Sequence, residues 1–318
     1  MRIKKREARF YNLNLNFYLR SSAQICVPIF YTLTIAEALH AAENKLMLSG
    51  VPDARLDAEL LLRHVLKQTR AWVFTHCRDA LDEQDRSVFN KLILRRTTRE
   101  PVQHIIGKQE FWGLEFIVTQ SVLIPRPETE LVVESALKKM RDSTSPLLVD
   151  LCTGSGCIAI SLAKELRKAR VFATDKSDRA LIVARENARA HGVSNRIRFF
   201  EGDLFGPLDE LDIHGNVDVI TANPPYIKSL DLKTLQPEVR DFEPELALIA
   251  GPEGTELAER IIRTAPRYLK QGGSLIMEMG MGQAQALSRI ILDAGVYESP
   301  VVLKDLAGIE RVIAAKKQ

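Results

Sequence analysis

The tetrapeptide Asn223-Pro224-Pro225-Tyr226 is the stretch of this chain best equipped for chemistry. Its two prolines remove two backbone donors and fix φ, so the carbonyls of the segment are free to face a ligand. An amide or exocyclic amine nitrogen is a poor nucleophile because its lone pair is delocalised, and positioning must do much of the work on it. If the Asn223 side-chain oxygen and the Pro224 carbonyl accept its two N–H groups, such a nitrogen is held facing an electrophile and its developing positive charge is stabilised. Tyr226 would wall or stack the planar group. The plain alternative is a proline-rich turn after the apolar run Val217–Ala222, and a second constellation weighs against it.

That second constellation is Val149-Asp150-Leu151-Cys152-Thr153-Gly154-Ser155-Gly156-Cys157-Ile158, a strand running into a glycine-containing turn and then a helix. Gly154 and Gly156 allow a sharp turn and a close backbone approach, and the following helix offers unpaired N–H groups. Alone this is a weak signal, since any tight connection from strand to helix can look alike. Asp175, 25 positions after Asp150 at the end of the next strand, adds an acidic side chain able to accept from both hydroxyls of a ribose. The spacing is not the G-x-G-x-x-G of dinucleotide dehydrogenases. These residues resemble the class I S-adenosylmethionine methyltransferases, which implies that Cys152, Thr153, Gly154, Ser155 and Gly156 lie against the amino-acid and ribose parts of that cofactor. The resemblance also implies an adenine contact at Gly202-Asp203-Leu204-Phe205, with Asp203 and Leu204 the cofactor-binding candidates. Asn223 would border the same site. Leu204 stands where that family often places an aromatic, and Cys152 where it often places glycine. Cys152 and Cys157 lack the nearby His or further Cys of a zinc site and read as packing residues, so no metal is expected.

The Asn-Pro-Pro-Tyr segment is shared between glutamine methyltransferases and enzymes acting on exocyclic amines of bases. Other segments discriminate. Pro101-Val102-Gln103-His104-Ile105-Ile106-Gly107 with Phe111 and Gly113, then Leu123-Ile124-Pro125-Arg126-Pro127-Glu128-Thr129-Glu130, then Phe242-Glu243-Pro244-Glu245-Leu246-Ala247-Leu248 with Gly251 and Gly254, closely resemble the release factor glutamine methyltransferase family known as PrmC or HemK. The resemblance runs from about Thr34 to Val312. It implies transfer of a methyl group from S-adenosyl-L-methionine to the side-chain amide nitrogen, N5, of the glutamine in the Gly-Gly-Gln loop of peptide chain release factors. It further implies that Glu128 to Glu130 open a helix beside the cofactor and that an N-terminal bundle grips the release factor. Arg126 and Glu130 could alternatively form a domain-anchoring ion pair, and His104 reads as a structural histidine in the connector. The alternative activity is adenine-N6 methylation of RNA or DNA. A non-enzymatic cofactor-binding scaffold is the third reading, and intact Asp175 and Asn223 argue against it.

The elements that must position these residues follow from periodicity. Thr34 with Glu37 forms a capping-box pattern ahead of Ile35, Leu39, Ala42 and Leu46 at helical spacing. Asp53 can cap a helix carrying Leu56, Leu60 and Leu61, and Asp82 one carrying Val88, Phe89, Leu92 and Ile93. From Gln109 to Pro125 the period becomes alternating, which predicts a β-hairpin acting as a hinge. Beyond Arg126, the runs Leu147–Leu151, Val171–Thr174, Ile197–Phe200, Val217–Ala222 and Ser274–Met279 alternate with amphipathic helices, the pattern of a mostly parallel sheet. Runs 300–303 and 310–315 have no helix between them and should pair antiparallel at the sheet edge. The expected fold is therefore α/β, a Rossmann-like class I methyltransferase domain with a seven-stranded sheet and a small N-terminal helical bundle. The expected division is a leader at 1–31 read as disordered, a helical substrate-recognition domain at 32–108, a hairpin linker at 109–125 and a catalytic domain at 126–318.

Composition bounds the rest. The 318 residues are 27% charged and 46% hydrophobic, a globular profile. The formal charge of the chain is +3, while residues 1–31 alone carry +5, so the remainder is slightly acidic. That remainder lacks the positive field that non-specific nucleic-acid binding needs, and no direct nucleic-acid partner is expected. Four cysteines, Cys26, Cys77, Cys152 and Cys157, suit a reduced, cytoplasmic compartment. No apolar run reaches the ~18 residues of a membrane span. The basic, partly apolar leader could also be a targeting segment.

Overall fold

The computed structural model describes residues 33–141 and 143–318, and the basic leader lies outside them. The Thr34 hydroxyl accepts from Glu37 N at 3.2 Å while the Glu37 carboxylate takes Thr34 N at 2.8 Å, and this reciprocal cap starts α1 (Ile35–Leu48). Next come α2 (Ala54–Leu66), α3 (Arg70–Thr75), α4 (Glu83–Thr97) and α5 (Val102–Ile106). Asp82 caps α4 by accepting from Gln84 N at 2.8 Å, whereas Asp53 sits at the N-cap of α2 and its side chain accepts nothing. Leu46, Leu61, Leu62, Phe89 and Ile93 fill the core of the bundle. Leu56 and Val88, part of the apolar repeats that marked these two helices, are exposed. The buried stripe of α2 runs instead through Ala54, Asp57, Ala58, Leu61 and Leu62, and tolerates Asp57 because Arg96 of α4 donates to it at 2.7 Å.

The hairpin is shorter than the alternating pattern suggested. β1 (Lys108–Phe111) and β2 (Leu114–Ile117) pair around Trp112 and Gly113, and residues beyond Ile117 leave the ladder. Phe111 and Phe116 are fully buried in one apolar cluster with Leu148, Ile160 and Val219, so the expected hinge is docked on the sheet. Val118 and Val122 pack against Ala180 and Val183.

A 3-10 turn at Pro127–Thr129 leads into α6 (Glu130–Lys139), followed by β3 (Leu147–Leu151), α7 (Cys157–Glu165), β4 (Arg170–Asp175), α8 (Asp178–Ala190) and β5 (Ile197–Glu201). The chain continues through β6 (Val217–Ala222), β7 (Ile227–Lys228), α9 (Pro237–Arg240), β8 (Ile249–Gly251) and α10 (Glu256–Thr264). It ends with β9 (Leu269–Glu278), α11 (Ala284–Asp293), β10 (Val301–Lys304) and β11 (Glu310–Lys316). Seven strands form one sheet in the order β10-β11-β9-β6-β3-β4-β5, parallel except for β11, which runs antiparallel to both neighbours. β7 and β8 form a separate parallel pair.

Alternation along each strand assigns the two faces. Val149, Leu151, Ile220, Met277 and Ile313 share one core with α10 and α11, while Leu148, Val219, Ile276 and Val312 share the other with α6 and α7. Burial on both faces is what a central parallel strand requires, and all of β3 is buried. From β3 the chain winds outward through β4 to β5, then returns to place β6 on the other side of β3. The carboxyl ends of β3 and β6 thus flank a topological switch point, where the loops diverge and leave a crevice.

Candidate functional site

A cavity of about 320 Å³ opens at that crevice. Cys152, Thr153, Gly154 and Ser155 after β3, Asp175 closing β4, Asp203 and Leu204 after β5, and Asn223 and Pro225 after β6 all line it. Gly156, Pro224 and Tyr226 do not appear in its lining, although all three belong to the same turns. Gly156 has a packing role: at φ +81 a Cβ there would sit 2.9 Å from Ile160 Cδ1 and 3.2 Å from Ala184 Cβ, so glycine lets α7 and α8 approach.

The loop after β3 is fixed from below and from the side. Asp150 accepts from the Thr153 hydroxyl at 2.6 Å and the Thr221 hydroxyl at 2.8 Å, joining the ends of β3 and β6. Complete burial pushes this carboxyl up to about 7, against the pull of those two hydroxyls. Gly154 N donates to Asp175 Oδ2 at 2.8 Å, and Ser177 N donates to Asp175 Oδ1 at 2.9 Å. Each Asp175 oxygen keeps a further lone pair for a ligand, and burial raises this carboxyl too. Cys152 adopts φ +56, a left-handed conformation that costs a non-glycine residue ~1–2 kcal/mol. Desolvation raises the thiols of Cys152 and Cys157, the latter to about 12, so both stay protonated and pack. Among the described residues there is no cluster of three or more His, Cys, Asp or Glu able to hold a metal ion.

Other residues shape the site, and one of them, Asn187, no sequence pattern pointed to. Asn187 of α8, fully buried, accepts from Ile117 N at 2.8 Å and donates to Ile117 O and Ser155 O at 3.0 Å each, tying the hairpin to the loop. Residues 121–123, Pro125 and Arg126 line the cavity, so the stretch beyond the hairpin covers the site. Thr129 also lines it. Arg126 does not pair with Glu130; it donates to Glu243 at 2.5 Å, and Glu130 instead accepts from Trp112 N at 2.7 Å. Asp203 is engaged by Arg260 of α10 at 2.7 Å. His104 is buried with neither ring nitrogen hydrogen-bonded, and desolvation lowers its pKa.

The turn at 223–226 is braced by backbone contacts. Gln283 Nε2 donates to Tyr226 O and to Gly254 O, each at 3.0 Å. A Cβ at Gly280 would lie 3.1 Å from Tyr226 Cδ2, which places the ring against this glycine. Burial, with the Glu278 carboxylate nearby, raises the Tyr226 phenol to about 12. Asn223 Nδ2 donates to Thr129 Oγ1 at 3.2 Å, and neither Asn223 Oδ1 nor the Pro224 carbonyl receives a hydrogen bond from the described residues. The acceptor row inferred from the prolines is therefore open.

A nucleoside with an amino-acid tail matches this donor and acceptor set. A Cβ built on Gly154 meets nothing within 4 Å, so bare loop backbone faces the cavity beside the Asp175 carboxylate. Among the described residues no helix is long and apolar enough to cross a membrane.

Two family models match the chain: the PrmC N-terminal domain over residues 37–107 and the Methyltransferase small domain over residues 129–237. The release factor glutamine methyltransferase of Geobacter sulfurreducens is 40% identical over 283 residues, covering 89% of this chain and 96% of that protein. The protein of the same description from Moorella thermoacetica is 40% identical over 286 residues, 90% of this chain and 99% of its own length. Among solved structures, the hMettl16 catalytic domain in complex with MAT2A 3'UTR hairpin 1 superposes with a TM-score of 0.53 at 17% identity, over 75% of this chain and 83% of that one. At that identity the likeness is one of fold.

Proposed function

The chain belongs to the release factor glutamine methyltransferase family, and from that membership we propose how its own residues carry the reaction. It is an S-adenosyl-L-methionine-dependent enzyme that methylates a glutamine side-chain amide in a peptide chain release factor. Bound S-adenosylmethionine supplies an electrophilic methyl carbon on a sulfonium. Residues 152–156 hold its amino-acid and ribose parts with loop backbone, Asp175 accepts from the ribose hydroxyls, and Asp203 and Leu204 border the adenine. The Asn223 side-chain oxygen and the Pro224 carbonyl accept the two N–H groups of the substrate amide, the glutamine of the Gly-Gly-Gln loop. This would aim the nitrogen at the methyl group and stabilise the positive charge that grows on it as the C–N bond forms and the S–CH₃ bond breaks, the donor leaving as a neutral thioether and the amide giving up one of its two N–H protons. Pro225 and Tyr226 wall the planar group. Tyr226 keeps its own proton, since its phenol lies far above neutral pH. The helical bundle, residues 33–108, serves as the grip on the body of the release factor, and residues 126–318 carry the transfer.

The observation that carries this reading is the state of Asn223. Its Nδ2 is anchored on Thr129 while its Oδ1, at a residue lining the cavity, has no partner among the described residues. Asn223→Ala should lower turnover on a release factor ~10²- to 10³-fold, the loss typical when one group aimed at a reacting centre is removed. Cofactor affinity, read by calorimetry, should change little. Equal losses in both would remove the side chain from the role given to it. Labelled S-adenosylmethionine should mark the release factor but not a variant with the loop glutamine replaced, nor RNA or DNA in parallel reactions.

A further inference from the structure

A primary amide can sit either way round in the same space, and its hydrogen-bond partners decide which way. For Asn223 the choice matters: one orientation offers the substrate an oxygen, the other an NH₂ that would face another NH₂. The partner on this side is Thr129 Oγ1, 3.2 Å from Asn223 Nδ2. Thr129 is 1% exposed, and its hydroxyl lies 2.5 Å from Oε2 of Glu278, the last residue of β9 and itself 4% exposed. A hydroxyl has one hydrogen and a carboxylate has only lone pairs. The Thr129 hydrogen is therefore committed to Glu278, and Thr129 can offer Asn223 nothing but a lone pair. Asn223 must answer with its NH₂, which turns Oδ1 away from Thr129.

We infer that Thr129 and Glu278 are positioning residues that lock the Asn223 amide with its oxygen, rather than its NH₂, presented to the substrate nitrogen. This rests on the role proposed for Asn223. Neither residue touches the reacting atoms in this scheme; each acts through the next. The three come from separate parts of the chain, the turn before α6, the end of β9 and the turn after β6, and the cavity brings Thr129 and Asn223 to one wall.

The lock has a protonation state. Protonated Glu278 would carry a hydrogen of its own, Thr129 could accept it, and the Thr129 hydroxyl could then donate to Asn223 Oδ1 and turn the amide round. Glu278 is surrounded by Glu128, Arg126, Arg311, Tyr226 and Cys157, and burial dominates, raising it to about 7. Turnover should consequently fall as pH drops through neutrality.

The test measures kcat and KM on a release factor, with cofactor Kd by calorimetry, for Asn223→Ala, Thr129→Val, Thr129→Ser and Glu278→Gln between pH 6 and 8.5. Thr129→Val should lower kcat ~10- to 100-fold, as a misaligned reacting group does, with cofactor Kd little changed. Thr129→Ser should restore most of it, and Glu278→Gln should flatten the fall in kcat toward acid pH. Wild-type kcat in Thr129→Val, no rescue by serine, or a Glu278→Gln profile parallel to wild type would each overturn the inference. If the valine variant fails to fold, the serine variant and the two pH profiles decide. Full activity in Asn223→Ala would instead remove the role of Asn223 itself, whereas a crippled Asn223→Ala beside a fully active Thr129→Val would remove the lock alone.

Discussion

Removing the Glu238 carboxylate should loosen the helical bundle from the segment that follows the acceptor turn. Glu238, in α9, accepts from Arg96 Nη2 at 2.8 Å and from Arg99 Nε and Nη2 at 2.7 and 2.6 Å, so one carboxylate joins two bundle arginines to residues between β7 and β8. The Arg96 side chain is 5% exposed and that of Glu238 is 14% exposed, so water replaces little of what is lost. Stripping a buried ion of its partner costs ~3–5 kcal/mol. Arg96 keeps Asp57, however, and the Arg99 side chain, 21% exposed, can turn outward, which brings the expectation for Glu238→Ala to ~2–3 kcal/mol. That weakens docking of the bundle on this segment ~30- to 150-fold. Limited proteolysis should then cut faster between residues 229 and 243. KM for a release factor should rise, because the grip and the pocket no longer hold a fixed distance, while cofactor Kd stays put. Wild-type cleavage rates together with an unchanged KM would refute the reasoning, because a clamp of that strength cannot be removed silently.

Gly254→Ala should damage the acceptor turn from beneath: a Cβ there would stand 2.7 Å from Tyr226 O, at φ +81, so turnover should drop by ~10-fold or more with a loss of ~1–3 kcal/mol in urea unfolding. Stability should also fall between about pH 4 and 7. Asp150 and Glu278 are both raised to about 7 from ordinary carboxyl values, so the stability tied to their neutral forms is complete below the unfolded values and lost as pH rises through the folded ones. Buried His104, with its pKa lowered, offsets part of that change. Urea midpoints across the range should show the decline, and Glu278→Gln should make it shallower.

Most of the sheet was legible because a strand buried on both faces needs a continuous apolar run, and runs such as Leu147–Leu151 and Val217–Ala222 are hard to read otherwise. The loop after β3 and the turn at 223–226 were legible because glycine and proline act locally. Short elements were not. α3 and α5 are too brief for a helical repeat to emerge, and β7 and β8 hold together only because the chain returns. Burial of Asp57 depends on Arg96, and the grip on Asn223 depends on Thr129 and Glu278. Such partnerships join distant positions, and no window along the chain contains both halves. Leu56 lies on the predicted helix yet outside its core, because a leucine at helical spacing is ordinary on a surface as well as in a core.

The two outermost strands of the sheet have a bearing on how this protein behaves when crowded. β10 is only four residues long, follows Pro300 and breaks register between Leu303 and Lys304, while β5 carries Arg198 folded over the rings of Phe172 and Phe200. Brevity and a bulge at one border, and a cation laid across aromatic rings at the other, discourage a neighbouring molecule from adding its own strand. Both borders are thus poor templates for an added strand, and a straight, uncharged replacement at either would be a better one.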